Sequence, residues 1–180
     1  ISIIIPVYNQ AKWVQRCIRS LLNQNFKRDK YEIIIIDDAS TDNSLSMLKK
    51  FDNEITLIKH KNNLGLPSAL NTGIKSSQAG YIVRVDADDY VNENFLLFLY
   101  EFLEQNKEID AVACDYLLVD KKENVIERKN CNHYPIGCGI LFKTENLFEI
   151  GLYDEDFKLN EEKDLRIRFE KKYNIYRLRL

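Results

Sequence analysis

No glycine-rich phosphate loop follows any apolar run in this sequence. With six glycines among 180 residues, the chain contains neither G-x-G-x-x-G nor G-x-x-x-x-G-K-[ST], two loops whose backbone N–H groups cradle phosphates. A net charge of −2 gives no basic excess and argues against a nucleic-acid partner. No apolar run approaches the roughly 20 residues of a membrane span, and no signal peptide is visible. The four cysteines, Cys17, Cys114, Cys131 and Cys138, match neither paired C-x₂-C zinc sites nor a C-x-x-C redox motif. Cys131, His133 and Cys138 lie close in sequence, but buried, reduced thiols of an intracellular protein are the simpler reading. Internal repeats, low-complexity segments and linkers are also missing. What remains is one domain of ordinary globular composition, 45% hydrophobic and 30% charged. The chain opens on Ile1, inside a strand and without an initiator methionine, as a piece of a longer chain would.

Two apolar runs end abruptly in acids. Tyr81 to Val85 is β-branched and aromatic, hence a buried strand, and Asp86, Asp88 and Asp89 follow it. Three carboxylates at a strand end repel one another unless a cation or donors compensate them. Oxygen ligands there suit a hard divalent ion that takes further ligands from phosphates; an acidic turn is the plainer alternative. Upstream, Ile33 to Ile36 run without alternation, as in a parallel strand covered on both faces, and end in Asp37 and Asp38. Ser40, Thr41 and Asp42 are most simply caps of the next helix, through about Lys50. Capping does not account for Asp37 and Asp38, whose carboxylates suit ribose hydroxyls or a base N–H.

Strand and helix patterns alternate through the first half. Strands fall at Ile1 to Pro6, at the isoleucine run, at Ile55 to Ile58 and at Tyr81 to Val85. Helices fall at Ala11 to Asn23, with Trp13 on the core side, at Pro67 to Ser76 and at Asn92 to Glu104. Lys59-His60-Lys61 reads as a solvated strand end. This alternation predicts an α/β, Rossmann-like, mostly parallel sheet with helices on both faces, and a smaller antiparallel portion after it. In the second half Ala111 to Val119 reads as one strand and 120–132 as a hairpin or loop. A strand entered through Gly137 and Gly139 follows, then a helix capped by Thr144. Glu161 to Lys172 is helical with Leu165, Ile167 and Phe169 partly buried, and a half-exposed strand closes the chain.

Five segments in this order resemble family 2 glycosyltransferases of the GT-A fold. They are Ile3 to Asn9, Asp37 to Asp42, Asn63-Leu-Gly65 with Asn71-Thr-Gly73, Asp86-Ala-Asp88-Asp89, and Glu161-Glu162-Lys-Asp164-Leu. The resemblance covers nearly the whole chain. It implies a nucleotide-sugar-binding half over 1–105 and an acceptor-side half over 106–180. Pro6, Val7, Tyr8 and Asn63 would line the nucleotide pocket, and Asp38 would accept from the N3–H of uracil. Asp86 would contact the ribose or the metal shell, and Asp88 would ligate Mn²⁺ or Mg²⁺. Glu162 stands where the family usually has the Asp of a Glu-Asp pair, and would be the catalytic base; by itself it is an exposed helix acid among Glu161, Lys163 and Asp164. Leu70 stands where the family often has an Arg, so that diphosphate contact is lost or supplied by Lys61.

The implied activity is inverting, hexosyltransferase-type transfer in polysaccharide biosynthesis. A metal-assisted UDP-sugar would be the donor and a glycan, lipid-linked or other hydroxyl the acceptor, in the cytoplasm or peripheral to a membrane. Two alternatives stand beside it: an inactive nucleotide- or glycan-binding module of the same fold, and a phosphoacceptor receiver domain, which shares the acidic pair but lacks the later strand-end Thr/Ser and Lys.

Overall fold

The isoleucine-rich segments sort their side chains by parity, and that sorting builds the molecule. In the computed structural model, which describes residues 1–179, β1 (Ser2–Val7) and β2 (Glu32–Asp37) pair in parallel with Ile3 opposite Ile33 and Ile5 opposite Ile35. Ile3, Ile5, Ile33 and Ile35 enter one core; Ile4, Ile34 and Ile36 enter the other. A strand with both faces covered has no polar face, hence the unbroken apolar runs.

Seven strands form one sheet in the order β3-β2-β1-β4-β8-β5-β9. The strands β3 (Thr56–Lys59), β2, β1 and β4 (Tyr81–Arg84) are mutually parallel. β8 (Ile140–Lys143) runs antiparallel between β4 and β5 (Ala111–Cys114), and β9 (Ile175–Leu178) pairs parallel with β5 at the edge. The reversed β8 brings its entry, Gly137 to Gly139, to the end of the sheet where β1, β2 and β4 finish. Helices α1 (Val14–Leu22), α2 (Ser44–Leu48) and α4 (Phe95–Gln105) cover one face. The other face carries α3 (Leu66–Ser76), α5 (Thr144–Glu149) and α6 (Glu161–Glu170). No helix among the described residues is long and apolar enough to cross a membrane.

Several local expectations are corrected. Pro6 neither ends nor edges its strand, because β1 is central and continues to Val7. The Ile4 carbonyl accepts from Val85 N–H, and with a two-residue period Pro6 faces the same side, beyond the end of β4, where no N–H is required. Trp13 is not a core residue: it precedes α1, half-exposed, with Lys12 and Arg16 over its ring. The apolar stretch 111–119 splits into β5 and β6 (Tyr116–Val119), and β6 forms a separate hairpin with β7 (Val125–Lys129). Thr144 does not cap α5; its hydroxyl donates to the Ala79 carbonyl at 2.7 Å. Ile167 is exposed, because the buried face of α6 is taken by Glu161, Leu165 and Phe169 at i, i+4 spacing.

Gly73 sets the distance between α3 and the sheet. A Cβ there would lie 2.5 Å from Ile4 and 2.6 Å from Ile36, both fully buried. Gly73→Ala gains about 1 kcal/mol in helix propensity but overpacks an immobile site at a cost of about 1–3 kcal/mol. We predict a lower urea midpoint for Gly73→Ala; an unchanged or raised midpoint would show that α3 shifts freely on the sheet.

Candidate active site

The ends of β1, β2 and β4 deliver Val7, Asp37 and Asp86 to one edge of the sheet, and side chains of the following loops tie them together. Asn9, in a left-handed conformation at φ 55°, accepts at Oδ1 from the backbone N–H groups of Thr41 (2.8 Å) and Asp42 (3.2 Å). The Asn9 and Gln10 N–H groups donate to the hydroxyls of Ser40 and Ser44, and Ala11 N–H donates to Asp42. Asp42 also accepts from Ser44 N–H at 2.8 Å, the first residue of α2. The hydroxyls and acid at 40–42 therefore zip two loops together rather than cap α2, whose N-cap is Asn43 with no side-chain cap bond; Asp42 alone reaches the helix, at Ser44 N–H. Above this floor, Pro6 is half-buried, Val7 buried, and Tyr8 48% exposed.

Asp38 is the tie between β2 and the turn that leads into α3. Its side chain is 5% exposed. Oδ1 accepts from Leu64 N–H (2.9 Å) and from His60 Nδ1 (2.7 Å), and Oδ2 accepts from Gly65 N–H (2.8 Å). His60, expected at a solvated strand end, is instead buried, with Nε2 against the Thr72 hydroxyl at 3.0 Å. Gly65, at φ 91°, supplies a backbone geometry that side-chain-bearing residues resist. Asn63 is exposed beside this turn. The Asn71 side chain is buried and holds the Tyr153 backbone at both N–H and C=O, with Glu155 as a third partner. Leu70 is fully buried and Lys61 exposed.

Arg84, the last residue of β4, is the centre of the charge arrangement. It is buried, and its guanidinium donates to both Asp86 oxygens (2.6 and 3.2 Å) and to Glu161 (3.1 Å). Burial acts to lower its pKa, but Asp86, Tyr153 and the Asp86 hydrogen bond outweigh it, so the guanidinium is held above its ordinary value. Gly137 lies against this group: a Cβ there would sit 2.4 Å from Arg84 Nη1 and 3.1 Å from Glu162 Cβ. The Arg84 carbonyl accepts from Gly139 N–H. Glu161 and Glu162 thus open α6 at the end of β4, after Asn160 turns the chain at φ 63°.

The three acids at the start of α6 have different fates. Glu161 is buried on Arg84, and Asp164 pairs with Arg168 at 2.6 Å. Glu162 is half-buried, lines a small cavity with Ile136, Gly137 and Tyr153, and has no ion pair among the described residues.

Asp86, Asp89 and Cys138 offer ligand atoms all within 4.8 Å of one another. This donor set, two carboxylates and a thiol at the end of β4, fits a divalent cation. Asp88 is exposed and is not among the three; its backbone carbonyl accepts from Arg16 at 2.6 Å, and Arg16 also stacks on Tyr90. Asp89 is exposed as a residue, yet its carboxyl is pushed up, first by partial loss of water around it, then by the Asp86 and Asp88 charges, while the Cys138 hydrogen bond opposes. Burial chiefly, with the Asp86 and Asp89 charges, raises the Cys138 thiol well above its usual range.

The sequence pattern missed Arg84, Arg16, His60 and Cys138. Arg84 carried a signal, a lone charge inside a β-branched run, since a buried charge requires a partner. The others depend on contacts across 22 to 72 residues, which no local pattern encodes.

A mostly parallel sheet with reversed β8 and acids gathered at one edge is the GT-A arrangement. The chain superposes on a crystal structure of S. aureus TarS 1–349 in complex with UDP-GlcNAc with a TM-score of 0.85 at 22% identity, covering 98% of this chain and 55% of that one. Mannosyltransferase PcManGT from Pyrobaculum calidifontis, in complex with GDP-Man and Mn²⁺, superposes with a TM-score of 0.80 at 21% identity, covering 99% and 54%. In sequence, a poly(ribitol-phosphate) beta-glucosyltransferase from Bacillus spizizenii is 40% identical over 111 residues, 59% of this chain and 18% of that protein. Residues 2–166 match the family described as Glycosyl transferase family 2. The chain belongs to that family, which sets the receiver alternative aside. It spans less than two thirds of the length of these relatives.

Removing Arg84 alone leaves Glu161 buried without its partner, at a cost of about 3–5 kcal/mol. We predict that Arg84→Met lowers stability in urea by that order, and that adding Glu161→Gln recovers part of the loss. A loss in the double variant equal to the sum of the two single losses would show that the pair is not coupled.

Proposed function

We propose that this chain carries the donor site and catalytic base of an inverting glycosyltransferase that moves a sugar from UDP to an acceptor hydroxyl. The observation that carries this reading is Glu162: of three acids opening α6 it alone is free of an ion pair among the described residues, and it lines a cavity beside Gly137 and Arg84. A UDP-sugar donor is supported by the UDP-GlcNAc in the TarS structure. A hydroxyl-bearing acceptor, such as a glycan, a lipid-linked sugar or a polyol phosphate, is supported by the name of the Bacillus relative. The work of such an enzyme is polysaccharide biosynthesis in the cytoplasm or peripheral to a membrane.

The chemistry follows from position. Val7 and the exposed ring of Tyr8 form a wall for the base, with Asn63 across the cleft. Asp38 Oδ2 holds one intramolecular N–H and keeps a second lone pair, which accepts the N3–H of uracil. Asp86 faces the ribose and diphosphate, and with Asp89 and Asp88 would hold Mn²⁺ or Mg²⁺. Such an ion supplies Lewis-acid neutralisation of the diphosphate when bound. Glu162 takes the proton from the acceptor hydroxyl as its oxygen bonds to the anomeric carbon. The bond from that carbon to the diphosphate oxygen breaks, UDP departs, and one displacement inverts the centre. The β6–β7 hairpin, with Leu117, Val125 and Ile126 exposed, forms the acceptor side.

Two measurements test this. UDP affinity by calorimetry should be higher in Mn²⁺ than in chelator and should fall in Asp88→Ala; equal affinity in both media would remove the cation from donor binding. Glu162→Gln should slow donor turnover about 10²- to 10⁴-fold, the usual contribution of a positioned base, while UDP still binds. Turnover at the parental rate would move the base elsewhere, and UDP binding by a parent that never consumes donor would make the chain a binding module.

A further inference from the structure

We infer that His60 is a positioning residue that sets nucleobase selectivity. By donating to Asp38 it leaves that carboxylate one open acceptor position, which suits a base edge with a single ring N–H, as uracil has. The inference rests on the reading of Asp38 as the group that meets the base, and adds the residue that makes it selective.

The fold grips the imidazole from both ends. His60 directly follows β3, and the lysines on either side of it are exposed. Its backbone N–H donates to the Asp37 carbonyl at 2.9 Å, and its side chain is 7% exposed, beside 5% for Asp38. Nδ1 lies 2.7 Å from Asp38 Oδ1, and Nε2 lies 3.0 Å from the Thr72 hydroxyl. An ionised carboxylate only accepts, so the proton between them belongs to Nδ1. Nε2 of that tautomer accepts from Thr72. Thr72 stands on α3 beside Gly73, where the helix lies closest to Ile4 and Ile36 of the sheet. The donor to Asp38 is thus fixed by a strand end on one side and a tightly seated helix on the other.

An acceptor account of Asp38 shows what this bond does. A carboxylate has about four lone-pair positions. Oδ1 accepts from His60 and Leu64, and Oδ2 accepts from Gly65. One position remains, on Oδ2. Uracil presents one donor, N3–H, between two carbonyl oxygens, and so fits a single acceptor. Cytosine presents a bare N3 beside an amino group. Against this carboxylate its N3 sets lone pair against lone pair, and the amino group finds no acceptor on the filled Oδ1. Without His60 each oxygen holds one backbone N–H and keeps a free position. The carboxylate then takes the cytosine amino group on one oxygen as well as the uracil N–H on the other. Selectivity of this kind comes from what the wrong ligand leaves unpaired.

The test compares UDP and CDP affinities, by calorimetry in Mn²⁺, for the parent, His60→Asn and His60→Gln. The two amides share their chemistry and differ in reach: the Asn amide nitrogen falls near the place of Nδ1, the Gln nitrogen near that of Nε2. His60→Asn keeps the donor to Asp38 and should retain the parental preference for UDP. His60→Gln loses that donor, and the preference should fall about 10-fold or more, the usual weight of a hydrogen bond to a charged group. Each variant gives up one buried bond, so a purely structural role would move both alike. An equal loss of preference in both, or none in His60→Gln, overturns the inference. Nitrogen NMR of the parent's His60 ring tests it without any variant: a proton on Nδ1 is expected, and one on Nε2 alone overturns it. The underlying reading fails separately. A parent that binds UDP and CDP equally removes Asp38 as the base reader, whereas a selective parent with an equally selective His60→Gln removes only the role of His60.

Discussion

A buried guanidinium holds the two halves of this cleft together. Arg84 ends the central strand β4 with little access to water, and a charge so placed persists only when paired and hydrogen-bonded. Asp86, two residues on, supplies a bidentate partner; Glu161, 77 residues away, supplies the other. Because Glu161 is the first residue of α6, satisfying Arg84 docks that helix against the end of β4. Glu162 then falls beside Gly137, over the cavity, and Asp164 turns to Arg168, which in turn donates to the Ile150 and Leu152 carbonyls. One electrostatic requirement thus relates the acidic strand end to the acids of α6, although different parts of the chain supply them.

The same economy recurs in the polar floor. Asp38 and Asn71 are both drawn from segments that resemble family motifs, yet much of their bonding capacity goes into backbone N–H and C=O groups of neighbouring turns. Buried polar groups must be satisfied, and here that satisfaction fixes loops that would otherwise be free to move around a ligand. The site is rigid where it meets the sheet and open at Tyr8, Asn63 and Asp88.

Much of this could be read from the chain alone. Unbroken apolar runs at 33–36 and 81–85, alternating with helix patterns, define a parallel sheet, and acids placed just after those runs fall at its carboxyl edge, where ligands of open α/β sheets bind. Glu162 needed the family pattern, since by itself it is one acid among three on a polar helix. What escaped were properties set by tertiary neighbours. Trp13 has core chemistry but is covered by Lys12 and Arg16. The run 111–119 has continuous β character but changes sheets at Asp115, which accepts from Arg128 and Arg177 and is thereby held far below the usual carboxylate range. Cys138 is an unremarkable residue until the reversed strand carries it to Asp89.

The central claim is that the edge shared by β1, β2 and β4 receives a nucleotide diphosphate with its cation at the end of β4, facing Glu162. A crystal structure with UDP and Mn²⁺ bound, with anomalous data for the manganese, tests it most directly. The account predicts one anomalous peak within coordination distance of Asp86, the diphosphate against it, uracil between Tyr8 and Asp38, and the Glu162 carboxylate on the far side of the sugar position. Manganese and UDP seated away from Asp86, or Glu162 turned out of the cleft while Arg84 remains paired, would contradict it.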